Sequence, residues 1–199
     1  MLQVGEDRYL EDCATTDRWY HRTLIDTFGM LCGHRAHCST GKVEKLFVIC
    51  NRPSLDVEEE YCIDIGETSH IVSVFYSHQH FVTVNIDVMN KVCTVYDGLR
   101  YKPITWVQHV TNVLKRFRLI DLQCSANIHK NEQQSCEIEM WGANRTKLKW
   151  NLRLDESLVQ TDSVNCGPLA CAVTFQLLVD AKSFPKLETD TLRRNVIQT

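Results

Sequence analysis

The sequence predicts an α+β fold, with a central, mostly antiparallel sheet flanked by helices, in a single domain spanning 1–199. Three observations predict it. Apolar residues recur at helical spacing near the start, gather into short strand-like runs from Lys45 to Tyr96, and end in a long apolar run from Cys166 to Val179. The strands cluster instead of alternating regularly with helices, which separates α+β from α/β. Hydrophobic residues are 44% and charged residues 24% of the 199, values that suit one buried core and exclude disordered, collagen-like and coiled-coil chains.

The first helix is expected over about 17–32, with Asp17 as N-cap, Trp19, Leu24, Ile25, Phe28 and Leu31 on its apolar face, and Gly33 ending it. Strands follow at Lys45 to Cys50, Tyr61 to Ile65, Ile71 to Tyr76, Phe81 to Ile86 and Val92 to Tyr96. The acidic stretch Asn51 to Glu60 reads as a solvated loop, with a docking patch for a basic partner as the alternative. A helix over Ile104 to Phe117 carries Trp106, Val107, Val110, Val113 and Leu114 on one side. Its basic end, Lys115, Arg116 and Arg118, complements a helix C-terminus, with a nuclear-import signal as the alternative. Strands near Cys136 to Trp141 and Leu148 to Leu154 lead to the helix Cys166 to Val179, apolar nearly all round and therefore buried. A last amphipathic piece covers Leu187 to Ile197.

Charge and cysteine content narrow the function classes. Lys+Arg is 22 and Asp+Glu 25, a net charge of −3 that argues against a nucleic-acid partner. No apolar run is long enough to span a membrane, and the start lacks a basic, then apolar, signal-peptide pattern. The ten cysteines are therefore expected as reduced thiols of the nucleus or cytoplasm, most of them buried.

The strands Phe81 to Ile86 and Val92 to Tyr96 read as one hairpin. Centring its turn on Val88-Met89 sets His80 opposite Asp97, Val82 opposite Val95 and Val84 opposite Cys93. An imidazole beside a carboxylate is the orienting half of a catalytic triad, or simply a His–Asp surface pair. Cys166 stands where a polar loop meets the apolar helix, with Gly167-Pro168 behind it. Proline is tolerated in a first helical turn, so Cys166 lies at a helix N-terminus, where the dipole favours a thiolate. Gly167 permits close approach of a substrate backbone. Gln160, six residues earlier, offers an amide N–H that with the Cys166 N–H makes an oxyanion hole.

Together His80-Phe81, Asp97 seventeen residues on, Gln160 and Cys166-Gly167 resemble the ubiquitin-like-protein-specific cysteine proteases of the SUMO-protease type, in the adenovirus-protease clan. That pattern is His-Trp, an Asp seventeen residues later, and Gln-x5-Cys-Gly. Trp19 to Ile25 is similar to the family's opening helix, so the resemblance runs from Trp19 to Val179. It implies a papain-like core, with the nucleophile at the N-terminus of a buried helix. It also implies a catalytic set of His80, Asp97, Gln160 and Cys166, no cofactor, and a ubiquitin-like modifier or its conjugates as partner. Substrate contacts fall on Trp19 and Phe81, the walls of a tunnel for a Gly-Gly tail, and on Asn165 and Gly167 beside the nucleophile. Four positions depart from the pattern: Phe81 replaces Trp, Asn165 replaces Asp, Gly98 replaces Ser, and His21-Arg22 replaces Asn-Asp. Phe81 keeps an aromatic wall of smaller area, and no departure removes a catalytic group.

Three other readings stay open. A viral or mobile-element processing protease would use the same triad. A binding module would keep the groove without turnover. Cys32, His34, His37 and Cys38 lie within seven residues, as zinc ligands or as a polar loop after the first helix.

Overall fold

The computed structural model describes residues 20–40, 45–49, 68–120, 127–132, 135–141, 147–162 and 164–179. Helix α1 (Arg22–Thr40) precedes strands β1 (Lys45–Ile49), β2 (His70–Ser77), β3 (His80–Asp87) and β4 (Val92–Tyr96). A 3-10 turn (Pro103–Trp106) opens into α2 (Val107–Arg116); β5 (Asn127–Glu132), β6 (Ser135–Trp141), β7 (Lys147–Leu154) and α3 (Cys166–Val179) complete the order. The strands form one seven-stranded sheet in the order β1-β2-β3-β4-β7-β6-β5. Only β1–β2 and β4–β7 are parallel, so the sheet is mixed and mostly antiparallel, as the α+β expectation has it.

Period-two alternation sorts the strands between two cores. Ile71 and Phe75 of β2 and Val82, Val84 and Ile86 of β3 face Trp106, Val110 and Leu114, whose helical spacing gives α2 its apolar side. Val72, Val74 and Phe81 face the other way, against Ile25, Phe28, Cys32 and Ala36 of α1 and Ala170, Cys171 and Leu178 of α3. Helices thus cover both sheet faces, and α3 is sandwiched between α1 and the sheet.

Several boundaries differ from the sequence reading. Helix α1 begins at Arg22 and runs past Gly33 to Thr40. Gly33 does not cap it: a side chain there would press on Phe47 Cβ at 3.3 Å, so this glycine lets β1 approach the helix. Leu31 is exposed, and the buried stripe is Ile25, Phe28, Cys32 and Ala36. Cys32, His34, His37 and Cys38 all lie within α1, so the polar-loop reading of this segment is replaced by helix. Cys32 faces the core while His34 and His37 face solvent, so the side chains diverge. The residues over Ile104 to Trp106 are 3-10, with α2 proper starting at Val107. Strand β5, Asn-Ile-His-Lys-Asn-Glu, was not expected from so polar a run. In α3, Phe175, Leu177 and Val179 are only partly buried. Asp17, Trp19, the strand Tyr61 to Ile65, the acidic stretch Asn51 to Glu60 and the piece Leu187 to Ile197 lie outside the described residues.

The β3–β4 hairpin is shifted by two residues from the expected register: Val84 pairs with Val95 and Ile86 with Cys93. The cause is turn chemistry. The Asp87 carboxylate accepts hydrogen bonds from the Asn90 backbone N–H (2.9 Å) and side-chain amide (2.7 Å), and Lys91 takes a left-handed φ of 54°. The turn is therefore Val88 to Lys91 rather than two residues. A shift of two keeps every side chain on its own face, so the expected cores survive.

Candidate active site

Three elements each bring one residue of the candidate triad. His80 opens β3, fixed by a tight β2–β3 turn in which His78 and Gln79 both adopt left-handed φ (53° and 58°) and Ser77 pairs with His80. Asp97 follows directly on β4, and Cys166 is the first residue of α3. His80 and Asp97 are diagonal rather than opposed in the register, yet His80 Nε2 donates to Asp97 Oδ1 at 2.8 Å. The Cys166 side chain acts on the same ring from the start of α3. With Nε2 on the carboxylate, Nδ1 is the nitrogen that serves the thiol. His80, Asp97 and Cys166 are all buried.

Asp97 has no exposed surface, and its two oxygens accept four hydrogen bonds. Oδ1 takes His80 Nε2 and the Leu99 N–H (2.9 Å); Oδ2 takes the Tyr101 N–H (3.0 Å) and the Trp106 indole Nε1–H (3.2 Å). A buried carboxylate needs such donors to remain an anion. Burial opposes protonation of His80. The hydrogen bond to Asp97 and the neighbouring Cys166, with their charges, outweigh it and raise His80 to about 9. The site thus favours an imidazolium at neutral pH, the partner a thiolate requires.

The first turn of α3 is built for its N-terminal residue. Asn165 caps it, its carbonyl accepting Leu169 N–H at 3.0 Å. The Asp162 carboxylate grips Asn165 through its backbone N–H (2.8 Å) and side-chain amide (2.7 Å), and also takes the Val164 N–H at 2.8 Å. Burial works against the Asp162 charge, but these donors prevail and hold it below the usual carboxylate range. Burial pushes the Cys32 thiol up to about 11 and also raises Cys93, Cys136 and Cys171. We expect iodoacetamide at pH 7 to label Cys166 before any of these four, as read by peptide mass spectrometry; prior labelling of one of them would contradict the assignment.

Gln160 is buried beside the triad loop. Its backbone N–H donates to the Gly98 carbonyl at 2.9 Å, tying the segment after Asp97 to the one before Cys166. Gly98 is needed there, because a Cβ would lie 2.7 Å from Gln160 Cβ. The Gln160 amide Nε2 donates to the Asp162 carbonyl at 2.7 Å, and its second N–H is the one that can serve an oxyanion. Asn165 points its amide into Asp162 and acts on the helix terminus. Phe81 is buried in the core and packs tilted against Tyr76, with ring centroids 4.6 Å apart, so little of its ring is open to a substrate tail. Trp19 lies outside the described residues. The close approach at Gly167 is used by the chain itself: a Cβ there would lie 2.7 Å from Tyr20 Cβ. Trp106, Tyr20 and Asp162 are the site-building residues that sequence reasoning missed. Only Asp162 left a legible signal, an acidic residue three before an Asn at a helix start.

No family model matches the chain, and no curated protein matches it by sequence. Solved structures do match by shape. The C-terminal Ulp1 protease domain in complex with Smt3, the yeast ortholog of SUMO, superposes with a TM-score of 0.59 at 14% identity, over 98% of this chain and 93% of that one. The SUMO protease Ulp1 with its catalytic cysteine oxidized to a sulfenic acid gives 0.58 at 13% identity, over 99% and 94%. A de-sumoylating protease gives 0.60 at 10% identity, over 94% and 82%. At such identities the likeness is one of fold, and the fold of this chain is that of the SUMO proteases.

Proposed function

We propose that the chain is a thiol peptidase that cleaves peptide or isopeptide bonds after the C-terminal glycine of SUMO or another ubiquitin-like modifier, in maturation, deconjugation or both. The observation that carries the reading is the buried His80–Asp97 hydrogen bond of 2.8 Å, with the Cys166 thiol acting on His80 from the start of a buried helix. The shared fold and the yeast SUMO ortholog bound to one neighbour support a modifier of that kind as substrate.

In this mechanism the Cys166 thiolate attacks the carbonyl carbon of the terminal glycine. The oxygen takes up the negative charge, held by the Cys166 N–H and a Gln160 amide N–H. The C–N bond then breaks as the His80 imidazolium gives its proton to the leaving amine. Water, deprotonated by His80, hydrolyses the thioester and frees the carboxylate and the thiol. Asp97 keeps His80 in one tautomer and orientation throughout. No cofactor takes part. The proposed setting is the nucleus or cytoplasm, where thiols stay reduced.

The test is a panel of SUMO, ubiquitin and related modifiers bearing a C-terminal thiol-reactive group, run beside Cys166→Ala. An adduct with one modifier, absent in the variant, is expected. No adduct with any modifier, while iodoacetamide still labels Cys166 first, would favour the processing-protease reading, which the burial of Phe81 also favours. Absence of preferential labelling would leave a binding module.

The pH profile follows from His80. Because its proton is held up to about 9, kcat/KM is expected to persist through neutral pH and fall as pH rises through that value, when the general acid is lost. A profile already falling at pH 7 would contradict the ion pair.

A further inference from the structure

We propose that the Trp106 indole is a positioning residue for the triad: its Nε1–H locks the Asp97 carboxylate in the rotation that presents Oδ1 to His80. The inference rests on the proposed function and adds a residue to it. Trp106 has no exposed surface and closes the 3-10 turn leading into α2, so its ring is held by the core on one side. On the other side its N–H reaches Asp97 Oδ2 at 3.2 Å.

The division of labour on the carboxylate makes the indole specific. Oδ1 is shared by His80 and the Leu99 N–H. Oδ2 has, among the described residues, the Tyr101 N–H and the indole. The two backbone donors belong to the turn after β4 and move with Asp97 itself. Among the described residues the indole is the one side-chain donor besides His80, and it is anchored in a different element. It therefore references the carboxylate to the core beneath the sheet. Tyr101 extends the support, its ring edge-on to His80 with centroids 6.0 Å apart and 6.4 Å from the Trp106 ring. The titratable groups around this assembly are Cys166 and Asp97 on His80, the Tyr101 phenol at its edge, and His109 behind the indole at 5.9 Å. His109 is depressed by burial and by His78, so its titration falls on the acid side, clear of His80.

The test replaces Trp106 with Phe, and separately with benzothienylalanine, which keeps the bicyclic shape and exchanges N–H for sulfur. Two readouts are taken on the whole chain. The first is the pH dependence of Cys166 alkylation by iodoacetate, an anion drawn to the imidazolium, so that its rate falls as His80 deprotonates. It needs no substrate. The second is kcat and KM on the modifier found by the panel.

Both variants are expected to move the alkylation step by about one pH unit to the acid side, a tenfold weaker hold on the His80 proton. They should lower kcat about tenfold with KM little changed, the scale of one hydrogen bond to a charged group. If the sulfur isostere keeps the wild-type step and kcat, the indole is core packing alone and the proposal is overturned. Should the Phe variant not fold, the isostere decides. If wild-type Cys166 shows no preferential alkylation, the proposed function fails first and takes this inference with it.

Discussion

Asp97→Asn is expected to lower kcat by about 10⁴-fold, the scale seen when a triad carboxylate is exchanged for its amide. An Asn oxygen can take over Oδ1 and keep His80 and the Leu99 N–H. Its NH2 group then faces the Tyr101 N–H and the Trp106 Nε1–H, two donors against a donor. Turning the amide over moves the conflict to His80 and Leu99. Either way the imidazolium loses its counter-charge and the pocket keeps donors without an acceptor, at about 1–3 kcal/mol for each. The loss should therefore appear twice, in turnover on a modifier substrate and in the denaturation midpoint. Turnover within tenfold of wild type would remove Asp97 from the catalytic machinery.

Gly167→Ala is expected to cost about 1–3 kcal/mol of stability and at least tenfold in kcat. The added methyl would stand 2.7 Å from Tyr20 Cβ, 3.2 Å from its Cγ and 3.3 Å from Ile25 Cδ1. Rotating the Tyr20 ring does not relieve a clash with Cβ, which is fixed to the backbone. Either the start of α3 or the segment before α1 must move, and Cys166 sits at that start. A shift of the nucleophile by a fraction of an ångström away from His80 acts on kcat more than on KM. A double-mutant cycle with Tyr20→Gly, which removes that Cβ, should show the two positions coupled. Purely additive effects would mean that Tyr20 does not set the position of α3.

The parts of the fold readable from sequence were those whose period is strong. β4 and α3 have the expected limits, since Val92 to Tyr96 is a short β-branched and aromatic run bounded by turns and Cys166 to Val179 is apolar but for Thr174 and Gln176. The hairpin register was misread by two because the Asp87–Asn90 turn is set by side-chain hydrogen bonds, which hydrophobic pattern does not encode. His80 and Asp97 still meet because a two-residue shift preserves the face of the sheet. The end of α1 was misplaced for another reason: Gly33 serves contact with Phe47, and a glycine that admits a neighbour looks in sequence like one that stops a helix. Trp106 was legible as core but not as a donor, because its partner is reached only through the turn after β4. The same holds for Tyr20 over Gly167, a contact between distant segments that no local pattern announces.

The order of the sheet also bears on when the protein can act. The candidate triad draws on β3, the end of β4 and the start of α3, and the Thr83 hydroxyl bonds the Ala170 carbonyl at 3.1 Å across 87 positions of the chain. Between them in sequence lie β5, β6 and β7, of which β7 must add in parallel beside β4. Such long-range pairings close slowly. On the ribosome, the His–Asp half can be complete while the nucleophile is still being synthesised, and the thiol reaches it only when the last described helix docks on the finished sheet. Under the proposed function, a nascent chain of this topology is inert towards its neighbours until α3 has docked.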